Sequence, residues 1–182
     1  FTNDKDYNIT NKNLQLGTTA DYSFHQNKII FNYQYNTVNR SYIDDSTDVG
    51  GFAKYQQGMY KGYSHFAELY ANFKISKHLE LLTGLDYRAN KTKQSYLSIS
   101  DFGPYSTALG DSAKTNQSSI YASLIVKNIS GFNLEIGGRA NHHSIYGWNG
   151  TYSFDPAYNI DKQWKIFANI ASAYRVPSLY QL

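Results

Sequence analysis

At eight places in this chain, apolar and polar residues alternate with period two over roughly 10–14 residues. Successive side chains of an extended strand point to opposite faces, so each stretch is a β-strand with one apolar and one polar side. The first sets Leu14, Leu16, Thr18, Ala20, Tyr22 and Phe24 against Gln15, Gly17, Thr19, Asp21, Ser23 and His25. A turn at Gln26–Asn27 leads to Ile29, Phe31, Tyr33, Tyr35 and Thr37, opposite Ile30, Asn32, Gln34, Asn36 and Arg40, which makes the pair a hairpin. The third strand runs from Tyr63 to Ile75, turns at Ser76–His78, and returns as a fourth from Leu79 to Asn90. The fifth (Ser118–Val126) and sixth (Phe132–Ala140) flank a turn at Asn128–Gly131. The seventh, Thr151–Ile160, contains Pro156, and the eighth is Trp164–Arg175.

A soluble β-sandwich would also alternate, but its strands average about 5–6 residues. Strands twice that length match a tilted crossing of a bilayer's hydrocarbon layer. The connections are unequal as well. Gln26–Asn27, Ser76–His78, Asn128–Gly131 and Asp161–Gln163 are short, whereas Ile43–Gly62 and Leu97–Thr115 are long and fall at the other end. Short turns on one side and long loops on the other are the pattern of an outer-membrane barrel. The apolar sets carry no Asp, Glu, Lys or Arg, and lipid enforces that absence as a dry protein core would. Aromatics favour lipid: Phe24, Phe73, Phe132 and Trp164 lie beside the short turns, and Tyr63, Tyr87 and Tyr174 lie at the other end, as two interfacial girdles require. The mean hydropathy of −0.55 contains no helical span, and a barrel needs none, because half of each strand is polar. The net charge of only +3, with charges scattered, points away from a nucleic-acid surface, and the lack of cysteine excludes disulfides and thiolate metal sites.

The C-terminal stretch supplies a resemblance. Tyr174, Arg175, Val176, Pro177, Ser178, Leu179, Gln181 and Leu182 resemble a segment recurrent in TonB-dependent receptors: aromatic, basic, any residue, Pro, Ser or Asn, apolar, then Gln or Glu and Leu. Gly137–His143, Tyr152–Pro156 and Leu82–Arg88 also look like barrel strands of that family, especially its cobalamin and siderophore branch. The resemblance implies a bacterial outer-membrane barrel of about 22 strands, closed by a plug domain, importing a scarce nutrient with energy relayed by TonB. Residues 1–182 then form a partial barrel domain, an antiparallel all-β transmembrane segment of about eight strands, with the plug and the other strands elsewhere. The start at Phe1 and the unfinished end agree with an excised segment.

Candidate sites follow from the pattern. Glu68, Asp86, Arg88, Glu135 and Arg139 are expected to face the lumen, where a plug or a polar substrate meets them, or where they form a hydrated charge ladder. Tyr55, Tyr60, Phe102 and Tyr105, in the two long loops, are expected to be stacking platforms for a small-molecule ligand. Asp44, Asp45 and Asp48 are the raw material of a calcium site, although such residues also simply solvate a loop. His142 and His143 are adjacent on a strand, so they point to opposite faces and cannot share a metal. No catalytic spacing or phosphate-binding glycine loop stands out, which points away from an enzyme. The alternatives to a transporter are a non-transporting structural or adhesin barrel and a soluble carbohydrate-binding sandwich.

Overall fold

The computed structural model describes residues 7–45, 53–109, 113–161 and 163–176. Among these there is no helix. The strands are β1 (Asn8–Phe24), β2 (Asn27–Asp44), β3 (Ala53–Lys74), β4 (Leu79–Ser100), β5 (Gly103–Leu109), β6 (Lys114–Ile129), β7 (Phe132–His143), β8 (Gly147–Asn159), β9 (Lys165–Phe167) and β10 (Ile170–Ala171). All ten belong to one antiparallel sheet in the order β1-β2-β3-β4-β6-β7-β8-β10, with β5 folded back on β4 and β9 paired to β8. That single sheet settles what alternation alone leaves open. A sandwich buries its apolar face against a second sheet. Here no hydrophobic side chain is buried among the described residues, while the buried polar side chains are those of Asp86, Thr115, Ser119, Asn141 and His143. The apolar faces look outward: Leu16 is 56% exposed, Leu85 53% and Ile120 60%.

The long loops are not as the sequence suggests. β3 begins at Ala53 and β4 continues to Ser100, and Gly103–Leu109 pairs with β4 from Ser100↔Gly103 to Gln94↔Leu109. Most of Ile43–Gly62 and Leu97–Thr115 is therefore strand. Backbone N–H and C=O groups of an extended segment need partners, and a neighbouring strand satisfies them all at once. The connection between β7 and β8 at that end is also short, only Ser144–Tyr146. At the other end the turns use backbone that few residues adopt freely: His25 (φ 53) before Gln26, and Asn128 (φ 50), Ser130 (φ 51) and Gly131 (φ 89) around the β6–β7 turn. The ladder shifts register between Val126 and Ile129 to enter that turn.

The expected eighth strand appears as two fragments. Phe167 pairs with Ala157 and Ile170 with Phe154, so the break lies opposite Pro156 and Asp155. Ala168 N donates to Pro156 O at 3.0 Å, and proline has no N–H with which to return the bond. A strand residue's N–H and C=O point to the same side, so Pro156 costs this edge a rung and leaves the β7 ladder whole, with Leu134↔Pro156 in register.

The chain divides into two compact units. One comprises Phe1–Leu16, Gln34–His65 and Ala89–Thr115, and the other comprises Gly17–Tyr33, Phe66–Arg88 and Asn116–Leu182.

Candidate functional site

In the second unit the polar face is a connected hydrogen-bond network. Thr19 Oγ1 donates to Asn32 Oδ1 at 2.9 Å, and Asn32 Nδ2 donates to Glu68 Oε2 at 3.1 Å. The other oxygen of Glu68 accepts from Tyr121 Oη at 2.9 Å. The Arg139 guanidinium lies over the Tyr121 ring, 5.4 Å from its centroid, and donates to Asp86 Oδ2 (2.5 Å), Ser119 Oγ (3.0 Å) and Asn141 Oδ1 (2.8 Å). Period two explains how strands so far apart in sequence meet here: every member occupies the polar parity of its strand. Gly84 makes room. A Cβ there would sit 2.6 Å from Tyr121 Oη and 2.7 Å from Tyr70 Cβ, so the glycine lets the Tyr121 ring cross β4 toward Glu68.

Three of the residues expected on this face, Glu68, Asp86 and Arg139, thus come together through a fourth, Tyr121, that sequence reasoning missed. Its signal was present, an aromatic residue at a polar-parity position of β6 facing a glycine. Arg88 is not part of the network; its guanidinium stands 5.2 Å from the centroid of the Phe66 ring. Glu135 lies in register with Ile125 on β6 and Asp155 on β8, and Asp155 accepts a hydrogen bond from Asn169 Nδ2. A buried carboxylate such as Asp86, 4% exposed, is stable only with a cation and a donor beside it, and Arg139 supplies both through one Nη2 hydrogen bond to Oδ2.

The first unit carries a different surface. Tyr42 packs on Tyr7 (ring centroids 5.9 Å apart) and on Tyr60 (6.2 Å, stacked), and Tyr96 Oη donates to Gln56 Oε1 at 3.3 Å. Gly58 is buried beneath, and a Cβ on it would meet Tyr42 Cε1 at 2.1 Å. Tyr42 is the sixteenth residue of β2, beyond the roughly 9–11 residues that cross hydrocarbon. Burial, and then the neighbouring Tyr60, Tyr96 and Tyr7, push its phenol up to about 12. Tyr42 therefore keeps its proton across the physiological range, and the cluster offers ring faces and hydroxyls.

The four aromatic residues expected as platforms are divided by this geometry. Tyr60 belongs to the cluster, whereas Tyr55 is on the other parity of β3 and faces away from it. Phe102 is 86% exposed at the β4–β5 turn, and Tyr105, 62% exposed, is on β5 opposite Ser98. None of the four lies in an irregular loop, for the pairing reason given above. Tyr7, Tyr42 and Tyr96 were missed because the cluster depends on lateral strand order, which alternation does not encode. Asp44 ends β2 and Asp45 follows it, while Asp48 lies outside the described residues. No group of three His, Cys, Asp or Glu residues able to hold a metal occurs among the described residues. Tyr174 and Arg175 follow β10, and Pro177, Ser178, Leu179, Gln181 and Leu182 lie outside the described residues.

At the β7–β8 rim, His142 and His143 do face opposite ways. His142 packs on Trp148 (4.9 Å), whereas His143 is 3% exposed and its Nδ1 accepts from Ile145 N (3.2 Å) and Tyr146 N (3.4 Å). Burial, and then His142, pull the His143 pKa below the usual imidazole value.

The sequence matches no curated protein. Solved structures do match. The ferric yersiniabactin uptake receptor FyuA from Yersinia pestis aligns with a TM-score of 0.70 at 12% identity, covering 88% of this chain and 28% of that one. The copper transporter OprC aligns at 0.73 and 14% identity, covering 96% and 32%. A mutant of the ferric enterobactin receptor PfeA from Pseudomonas aeruginosa aligns at 0.67 and 18% identity, covering 96% and 27%. The chain therefore spans about a third or less of the length of these proteins, and the likeness is one of fold. A family profile, TonB dependent receptor-like, beta-barrel, matches residues 1–182 in full. With its single sheet of long strands and its inverted burial, the chain belongs to the TonB-dependent receptor β-barrel family.

Proposed function

We propose that residues 1–182 are part of the barrel wall of a bacterial outer-membrane receptor that imports a scarce nutrient, such as cobalamin or an iron–siderophore complex. The energy comes through TonB, acting on a plug domain carried elsewhere in the same protein. The observation that carries this reading is the reversal of ordinary burial. Uncharged side chains cover the exposed face, and ionised and amide side chains are hydrogen-bonded on the opposite one. Such a wall is stable where the outer medium is hydrocarbon and the inner one is wet. The names of the matching structures, two ferric siderophore receptors and a copper transporter, support uptake as the activity.

In this reading the wall binds and positions and does no covalent chemistry. The Glu68–Tyr121–Arg139–Asp86 network is a rigid polar floor against which the plug domain sits. The Tyr42–Tyr60 stack offers the ligand neutral ring faces and phenol hydroxyls. The test uses the full-length receptor in its own host. Deletion of the gene is expected to abolish growth on cobalamin or on one ferric siderophore as limiting source. Wild type should restore growth, and the Tyr42→Ala/Tyr60→Ala variant should restore it only at roughly tenfold higher ligand concentration. Growth unchanged by the deletion on every such source, or a full-length protein recovered from alkaline carbonate washes in the soluble fraction, refutes the reading.

A further inference from the structure

In the first unit the outward parity of three neighbouring strands turns from apolar to cationic. On β3 it carries Lys61, just before Tyr63 and His65; on β4 it carries Lys91 and Lys93, just after Ala89; on β6 it opens with Lys114. These strands lie side by side in the order β3-β4-β6, and their register brings the lysines together. Ser64 Oγ donates to Asn90 Oδ1 at 2.8 Å and Thr92 Oγ1 to Lys61 O at 3.2 Å, which sets Tyr63 beside Lys91 and Lys61 beside Lys93. Thr92 N donates to Ala113 O at 2.9 Å, which sets Lys91 beside Lys114. All four hold the parity of the apolar residues, odd on β3 and β4 and even on β6, so they point to one side of the sheet. Tyr60 and Gly58, on the even parity of β3, belong to the opposite side. Lys61, Lys93 and Lys114 are exposed, whereas Thr115, next to Lys114 on the other parity, is buried.

The charge on this side is not balanced as it is on the polar face. There Asp21 pairs with Lys28 at 3.1 Å and Glu80 with Lys127 at 2.6 Å. The outward parity of β3, β4 and β6 contains no Asp or Glu. Lys91 and Lys93 have interactions of their own, but Lys61 and Lys114 make no ion pair among the described residues. Like charges facing each other across a ladder oppose its pairing, and an anion between them reverses the sign. With β4 between them, the Lys61 and Lys114 backbones are about 12 Å apart, so an anion with two separated negative groups complements them better than a single phosphate. Position along the strands selects its source. Fourteen positions separate Lys61 from Ile75 on one strand, and twelve separate Lys91 from Leu79 on the next, against the roughly 9–11 residues that cross hydrocarbon. The lysines thus stand just past the apolar stretch, at headgroup level, on the side away from the short turns.

We propose that Lys61 and Lys114, flanking β4, hold the phosphates of a diphosphorylated glycolipid of the outer leaflet, whose acyl chains follow the apolar parity of the same strands. The proposal rests on the reading of the chain as an outer-membrane barrel wall. The test is native mass spectrometry of the full-length receptor in detergent, titrated with diphosphoryl lipid A, with the same glycolipid stripped of both phosphates, with phosphatidylglycerol, and with diphosphoryl lipid A in excess inorganic phosphate. Diphosphoryl lipid A is expected to bind roughly thirtyfold more tightly than the stripped form, the scale of two lysines near a charged surface, and more tightly than phosphatidylglycerol. Lys61→Gln/Lys114→Gln should remove that preference, whereas Lys77→Gln, in the turn at the other end, should leave it unchanged. Inorganic phosphate should not displace the glycolipid. Lys61→Gln alone should lose part of the preference and covers the case in which the double variant does not fold. Equal binding by wild type and either Lys61 variant, no preference over the stripped glycolipid or phosphatidylglycerol, or displacement by inorganic phosphate overturns the proposal. A receptor that stays monodisperse without detergent refutes the membrane reading itself, and one that needs detergent but binds the glycolipid equally well in the variants refutes only the lysine site.

Discussion

Replacing Arg139 with methionine keeps the aliphatic packing over Tyr121 and removes three donated hydrogen bonds and one positive charge. Asp86 is then a carboxylate, 4% exposed, without a cation. Breaking a fully buried pair from one side costs about 3–5 kcal/mol, because the remaining charge has lost its water and its partner. Arg139 itself is 39% exposed, so water can enter the space it vacates and the cost falls to about 2–3 kcal/mol, a factor of roughly 30–150 in the folding constant. The converse change, Asp86→Asn, leaves the charge on the exposed partner. Arginine can turn to water and still donate to the amide oxygen, so the expected cost is about 1 kcal/mol. The order of the two effects is the prediction: Arg139→Met exceeds Asp86→Asn by at least about 1 kcal/mol. Urea unfolding of the full-length receptor in detergent micelles, followed by tryptophan fluorescence, measures both. Equal shifts, or a loss below about 0.5 kcal/mol for Arg139→Met, would show that Asp86 is hydrated and that the network adds nothing to stability.

Ile120→Arg, at the middle of the exposed face of β6, is expected to cost about 2–4 kcal/mol in lipid vesicles, and a neutral result would show that this face does not meet hydrocarbon. Gly58→Ala drives a methyl group into the Tyr42 ring at a buried position and should weaken ligand binding several-fold and cost about 1–3 kcal/mol of stability, read by calorimetry and by urea. The His143 pKa is lowered on folding, so the folded state binds fewer protons than the unfolded chain between that lowered value and the ordinary imidazole value near 6.5. Stability contributed by this rim is therefore complete above about pH 6.5 and is lost as the pH falls below it, since protonated Nδ1 can no longer accept from Ile145 N and Tyr146 N. Hydrogen exchange at Ile145 and Tyr146 should accelerate on acidification, beyond its intrinsic pH dependence, in wild type and not in His143→Gln. The Tyr42 phenol, raised to about 12, makes the opposite prediction at high pH: between about pH 10 and 12 the folded state holds a proton the unfolded chain has released, so stability declines through that window.

Period two, the absence of charge from one parity and the spacing of short turns were enough to establish from the amino-acid order a set of long antiparallel strands with an apolar and an ionised face. These are local properties, because the direction of each side chain is fixed by its own strand's backbone. Whether the apolar face is buried or outward was not local. A dry core and a bilayer impose the same pattern, and only the single sheet, with its hydrophobic residues outward, separated them. The extent of β3, β4 and β5 beyond the alternating stretches was illegible for a similar reason: their polar, glycine-containing ends carry little alternation, and lateral hydrogen bonding to a neighbour holds them extended. The partnership of Glu68 with Tyr121, 53 positions apart, and of Tyr42 with Tyr60 depends on which strands are neighbours and in what register. Alternation names the face a residue occupies, and the sheet order decides whom it meets there.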